Sequence, residues 1–598
     1  MQTSSFGVVV LFGLLGLAAS DQFPQPCEHP IYCLGGENSL LHTVQMARLY
    51  NDSKTFVDKP TRYDQGMVLF KFEQMMTDFN NKPSKKAIEA FVDANFSPEG
   101  TEFEDWEPTD WHENPAFLES IKDKKYRDLA IDIHGRWNDL GRKIRSNLRE
   151  STQTSLIYLE KPFIVPGGRF REMYYWDTYW TILGLIQSEM PETTKGMLEN
   201  FAHLIKLLGH IPNGNRIYYN RRSQPPLFIS MVDEYHKATG DDTFVESLLD
   251  SMDREFQFWL ANRTEFVTLN NKEYRVAVYN VEVDGPRPES YREDYNDAQQ
   301  HFGNSDDQLE FYMNMKSGAE SGWDYSTRWF VRENGEDSQE LSDIATRHIV
   351  PVDLNSYLCR GSSVMARLYK RFGNDLKANE YQGYFQSFEE ALENVMWNEE
   401  KGSWFDFDLL NKRQRPYFYP SNAGPLWANC YPKIRQSDKV QKFLGYLKSS
   451  GALNYPGGVP TSLVRSGQQW DFSNAWPPMQ EFIVTALENT GDHEATEIAG
   501  NLVKRWVKNI FVSYEQSSND MFEKYDVEQI GLPGGGGEYD VQEGFGWTNG
   551  VLLDFLSKYG DKLSSDDEIY VNSSGLLEWN LFQIVLPLLV TASKIFRS

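Results

Sequence analysis

What most narrows the folds open to this chain is a helical hairpin signal that recurs along its length. Met197, Phe201, Leu204/Ile205 and Leu208 form an apolar stripe at helical spacing, closed by Gly209, a residue suited to a left-handed cap. The same period returns in Phe244, Leu248, Met252, Phe256 and Trp259, in Leu354, Leu358, Met365, Leu368 and Phe372, and in Ile498, Leu502, Trp506 and Ile510. The connectors recur as well. Thr239-Gly240-Asp241-Asp242, Phe372-Gly373-Asn374-Asp375 and Thr490-Gly491-Asp492 each place glycine where one helix stops and a polar cap where the next starts. An array of helical hairpins follows, and with it an all-α domain. Between the pairs run long segments rich in Gly, Pro, Trp and Asn, at 164–177, 210–226 and 466–478; loops of this length in a compact domain are usually functional. We expect a site built from loops at one end of the array.

The chain has 598 residues, and 37 Phe, 31 Tyr and 16 Trp supply apolar surface for a large core and for aromatic-lined pockets. A net charge of −27 repels phosphate backbones and anionic surfaces, which argues against nucleic acid and favours a neutral ligand. No zinc-ligand spacing and no HExxH occurs, so no catalytic metal and no cofactor are expected. Cys27 and Cys33 are close enough to close a small loop, whereas Cys359 and Cys430 read as buried thiols.

The ends carry targeting features. The apolar run Val8–Leu17 followed by Ala18-Ala19-Ser20 reads as a secretory signal over residues 1–20, and four sequons, at Asn51, Asn95, Asn262 and Asn572, would be open to glycosylation on that route. The expected organisation is that signal, one catalytic domain over 21–560, and a tail over 561–598. The tail holds the apolar segment Leu581–Ala592 behind small residues Asn572-Ser573-Ser574-Gly575, so a soluble packed tail and membrane attachment both stay open.

Three motifs concentrate chemistry. Pro166-Gly167-Gly168-Arg169-Phe170-Arg171-Glu172-Met173-Tyr174-Tyr175-Trp176-Asp177 combines backbone freedom, hydrogen-bonding groups and an indole face; its bland reading is an ion pair among Arg169, Glu172 and Asp177. Gln468-Gln469-Trp470-Asp471-Phe472-Ser473-Asn474-Ala475-Trp476-Pro477-Pro478 mixes amides, a carboxylate and indoles, with a capped helix start as its alternative. The third is Gly534-Gly535-Gly536-Gly537-Glu538-Tyr539 with Gly544–Gly550 after it, which lacks the lysine of a phosphate loop.

Together these motifs resemble the trehalases, glycoside hydrolase family 37, of the secreted animal, insect-like kind. Ile211–Arg216, Arg222–Pro226, Arg287–Ser290, Glu320–Asp324 and Phe522–Asp526 match too, in the family's order, over most of residues 40–560. The resemblance implies an (α/α)6 barrel and inverting hydrolysis of α,α-trehalose to two glucoses, with Asp324 as general acid and Glu523 as general base. By the same match Arg169, Trp176, Asp177, Asn213, Arg222, Ser223, Gln224, Arg287, Pro288, Glu289, Gly322 and Glu538 would hold the two glucose units. Glu320 and Asp526 are the nearest rival carboxylates. Another inverting α-glucosidase and a catalytically silent sugar-binding protein are the competing functions.

Overall fold

The computed structural model describes residues 23–332 and 334–569; the expected signal segment, Asn572 and the apolar tail segment lie outside them. Twelve helices organise the molecule: α1 (Lys124–Gly135), α2 (Asp177–Gln187), α3 (Pro191–Leu208), α4 (Phe228–Thr239), α5 (Asp242–Asn262), α6 (Val352–Arg371), α7 (Asp375–Ala391), α8 (Gly424–Trp427), α9 (Gln436–Ser449), α10 (Pro477–Glu488), α11 (His493–Gln516) and α12 (Gly546–Tyr559). The even-numbered helices pack in sequence, α2 on α4, α4 on α6, α6 on α8, α8 on α10 and α10 on α12, and α12 returns to α2. That closes an inner ring. Helices α1, α3, α5, α7 and α11 pack on its outside, and α9 leans on the short strand Ser403–Trp404.

Burial follows this division. In α2 every residue from Asp177 to Leu185 is buried, and α10 and α12 are buried nearly all round, as a helix enclosed by others must be. The outer helices bury one face: in α11 it is Leu502, Trp506 and Ile510, and in α3 it is Met197, Phe201, Leu204 and Ile205. The connectors behave as their chemistry requires. Gly209, Gly240, Gly373 and Gly491 take φ of 85°, 66°, 79° and 66°, while Asp241, Asn374 and Asp492 cap the following helices by accepting hydrogen bonds from Phe244, Lys377 and Ala495.

A second hydrophobic cluster, built from Cys27 to Phe96 around helices Leu40–Met46, Gln65–Asp78 and Lys85–Asn95, lies against the toroid. It shares Tyr174, Tyr218, Tyr219 and Tyr291 with the loops above the ring. This is how the N-terminal residues reach the site.

Cys27 and Cys33 are joined by a disulfide. Cys359 and Cys430 differ from expectation: they are fully buried, as expected, but bonded to each other rather than free, with Cα atoms 6.3 Å apart. Helices α6 and α8 lie side by side in the inner ring, which brings together two cysteines 71 positions apart. Of the described sequons, Asn51 and Asn262 are exposed, whereas Asn95 is buried and its amide is used by Phe91 and Lys71. Among the described residues no helix is long and apolar enough to cross a membrane.

Candidate active site

Helices α2, α10 and α12 begin at one end of the ring, and there the long loops wall a pocket. Arg169, Trp176, Asp177, Asn213, Arg222, Gln224, Arg287, Glu289, Gly322, Asp324, Glu523 and Glu538 all line it. Ser223 and Pro288 do not. The Ser223 hydroxyl donates to Ile211 O at 2.7 Å and its N–H to Glu320 at 2.9 Å, and Pro288 O accepts from Gln45, so both stand behind the wall.

The floor is aromatic. Trp470 lies parallel to Trp476 at 4.2 Å and to Trp323 at 5.1 Å, and Trp176 fits edge-on against Trp180 and Trp547. Gly322 shows why this packing needs glycine two positions before Asp324. Its φ is +75°, and a Cβ there would meet the Trp176 ring at 2.6 Å. The glycine run has a comparable reason: a Cβ on Gly536, at φ +77°, would strike Gly467 O at 2.4 Å, so only glycine lets the 534–539 and 466–470 loops meet. Asn474 joins them. Its amide donates to Gln469 O and Gly535 O and accepts from Gly535 N, and strand Asn474–Ala475 pairs with Tyr525–Asp526, just after Glu523. The helix starts after Trp476, which makes no side-chain cap, so Asn474 does not cap it.

The ionic arrangement also excludes the bland reading of the first motif. Arg169 pairs with Asp52, Glu172 pairs with Lys54 and Arg216, and Asp177 has no cation bonded to it among the described residues. Arg222 donates to Asn213 at 2.9 Å and to Glu289 at 2.7 Å; Arg287 is shared between Asp294 at 2.6 Å and Glu538 at 2.8 Å. These partners hold the guanidinium forks of Arg222 and Arg287 in fixed orientations. Glu289, which burial would raise, is held below the usual carboxylate range by Arg222 and Arg287.

Three carboxyls stand without such clamps. Burial pushes Asp324 up to about 7, against the pull of Arg287 and Arg222, and Glu538 adds to the rise. Burial pushes Asp177 up to about 8, with Asp324 and Glu523 adding to it. Glu523 is fully buried and raised by that burial, opposed by Lys524, whose ammonium is 3.4 Å from Oε1, and by Arg169. Neither carboxylate oxygen of Glu523 receives a hydrogen bond from the described residues, while its backbone is held by Gln542 and Trp547. Buried carboxylate oxygens without a hydrogen bond and carboxyls with displaced pKa values mark functional sites.

The rival carboxylates are used elsewhere. Glu320 accepts both forks of Arg263, at 2.7 and 2.9 Å, and Asp526 caps a turn through Glu528 N and Gln529 N. Sequence reasoning missed Lys54, Tyr174, Tyr219, Trp470, Trp476, Tyr539 and Trp547 as wall residues. Tyr174, Trp470, Trp476, Tyr539 and Trp547 lie inside the motifs already read, so they were within reach; nothing local marks Lys54.

A ring of six inner helices with a carboxyl-rich, indole-floored pocket at one end defines a carbohydrate-active enzyme of the helical-toroid class. Comparisons with known proteins narrow this. A family model described as Trehalase matches residues 48–560. A trehalase of Apis mellifera is 45% identical over 560 residues, covering 94% of this chain and 88% of that protein, and one of Homo sapiens is 45% identical, covering 93% and 94%. A Bombyx mori trehalase is 43% identical, covering 94% and 96%. Among solved structures, the neutral trehalase of Saccharomyces cerevisiae aligns with a TM-score of 0.54 at 22% identity, covering 67% of this chain and 75% of that one, and shares the fold. The chain belongs to the trehalase family and is a glycoside hydrolase.

Proposed function

We propose that the protein hydrolyses α,α-trehalose to two glucose molecules with inversion at one anomeric carbon. Breaking an acetal requires a proton on the departing oxygen and a nucleophile at the anomeric carbon; in an inverting site a second carboxylate activates the attacking water. One carboxyl must keep its proton while the other is ionised. The observation that carries the reading is the unlike surroundings of Asp324 and Glu523 in one pocket. Asp324 is raised to about 7 and has no cation hydrogen-bonded to it among the described residues, which suits a proton donor near neutrality. Glu523 has the Lys524 ammonium beside Oε1 and leaves Oε2 without a hydrogen bond among the described residues, able to accept from water, which suits a general base.

In this reading Arg169, Asn213, Arg222, Gln224, Arg287, Glu289 and Glu538 bind the hydroxyls of the two glucoses, Trp176 supplies an apolar face, and Asp177 donates from its protonated carboxyl. A buried site that pairs with each hydroxyl rejects sugars lacking one, which supports a narrow disaccharide specificity. The carboxyls favour an enzyme over a silent binding protein. We also read the protein as secreted: two disulfides fit an oxidising compartment, in line with the apolar Val8–Leu17 run.

Proton NMR of the first products tests the mechanism. Inversion gives equimolar α- and β-glucose, because one ring is attacked and the other keeps its α hydroxyl; α-glucose alone would overturn it. Asp324→Asn and Glu523→Gln, with folding checked, are expected to lose turnover on trehalose. A disaccharide panel in which maltose outperforms trehalose would move the assignment to a different glucosidase.

A further inference from the structure

Residues 50–58 belong to no sugar-site motif, yet one of them, Lys54, lines the pocket. Asp52 accepts from Arg169 through both oxygens, Nε to Oδ2 and Nη2 to Oδ1, each at 2.7 Å. Its Oδ1 also accepts the backbone N–H of Lys54 at 2.8 Å. Lys54 lines the cavity, its ammonium paired with Asp58 and, at 2.6 Å, with Glu172; Glu172 in turn accepts from the hydroxyl of Tyr174, another wall residue, at 2.5 Å. The Arg169 guanidinium lies 4.5 Å over the ring of Tyr539, which also faces the cavity. With Nε and Nη2 engaged, Nη1 has no protein hydrogen bond among the described residues.

We propose that Asp52 is a positioning residue of the active site, a single carboxylate by which the N-terminal cluster sets both the Arg169 guanidinium and the backbone that presents Lys54. The inference rests on the reading of Arg169 as a glucose contact. An arginine held by one fork must turn its remaining edge in one direction, and the rotamer freedom of a long side chain is removed before substrate arrives rather than during binding. The pair is a weak candidate for a purely structural role: the Asp52 side chain is 32% exposed, and ion pairs that reach solvent contribute little to stability. Loss of Asp52 should therefore be felt in catalysis and hardly at all in melting.

The test measures kcat and KM on trehalose, with thermal melting, for Asp52→Ala, Asp52→Asn, Asp52→Glu, Arg169→Ala and the Asp52→Ala/Arg169→Ala double variant. Each substitution keeps the Asn51-X-Ser53 tripeptide, so glycosylation is not altered by design. Asp52→Ala and Asp52→Asn should lower kcat/KM by about tenfold or more, since an ångström of misplacement in a binding group costs up to about a hundredfold. Melting should stay near wild type, and Asp52→Glu should recover part of the activity. Because Asp52 acts through Arg169, the double variant should be little worse than Arg169→Ala. Independent, multiplying losses would overturn the proposal. So would an Asp52→Ala variant within about twofold of wild type while Arg169→Ala is impaired. If Arg169→Ala itself kept full activity, the glucose-contact reading would fail, and the positioning role would fall with it.

Discussion

Replacing Gly322 by alanine tests how tightly the acid is coupled to the indole floor. The added Cβ would stand 2.6, 2.7 and 2.9 Å from three carbons of the Trp176 ring. Ordinary carbon contacts lie near about 3.5–4 Å, so something must move by about 1 Å. Trp176 cannot easily be what moves, with Trp180, Trp470 and Trp547 around it at centroid distances of 5.3, 5.7 and 5.9 Å. The loop carrying Asp324, two residues on, takes up the shift. An L-residue at φ +75° adds a backbone cost of about 1–2 kcal/mol, and overpacking adds about 1–3 kcal/mol, for a total of about 2–5 kcal/mol. A catalytic group displaced by about 1 Å loses about a hundredfold in rate. Gly373 supplies the control, since it has a similar φ of +79° with nothing within 4 Å of a built Cβ. Gly373→Ala should destabilise by the backbone cost alone and leave activity unchanged. Glucose release from trehalose and thermal melting read both effects. If Gly322→Ala kept activity within about threefold of wild type, the close coupling of Asp324 to the floor would be refuted.

Three further outcomes follow from the site and the covalent links. The acid must be protonated to act, and its carboxyl is raised to about 7, so kcat/KM should fall as pH rises through that value; a profile flat up to pH of about 9 would exclude Asp324 as the donor. Asp177 binds its proton more tightly in the folded state, at about 8, than at the ordinary 3.8, so its burial costs stability progressively as pH climbs between those values; Asp177→Asn should raise folding stability at neutral pH by on the order of 1–3 kcal/mol, read as a higher melting temperature, while impairing turnover, and no rise would refute the burial penalty. The Cys359–Cys430 bridge closes 71 residues and the Cys27–Cys33 bridge only 6, which by chain entropy corresponds to about 4 against about 2 kcal/mol; the double alanine variant of the first pair should therefore melt lower than that of the second.

Much of the architecture was legible because helix formation and capping are local. The stripe from Met197 to Leu208 and the glycine–cap connectors at 239–242, 372–375 and 490–492 state their backbone geometry within a few residues, and the structure shows helices and left-handed glycines there. The wall residues were legible for another reason: the motifs concentrate arginine, amide, carboxylate and indole groups in loops too long to be simple connectors. Even so, the roles inside a motif were not evenly readable. Ser223 lies between two pocket residues and faces away, because its hydroxyl is taken by Ile211, and Glu320 lies four residues before Asp324 and spends both oxygens on Arg263.

The sequence by itself determined the helical hairpins, the positions of their caps, and the set of side chains from which a sugar site could be made. Only the tertiary structure decided which of them meet. The Cys359–Cys430 bond, the grip of Asn474 on the glycine run, and the Asp52–Arg169 fork, 117 positions apart, all depend on tertiary packing bringing distant segments together. Local preference acts over a few residues of chain, whereas these contacts and the displaced carboxyl pKa values arise from the burial and charge that the closed toroid creates around its pocket.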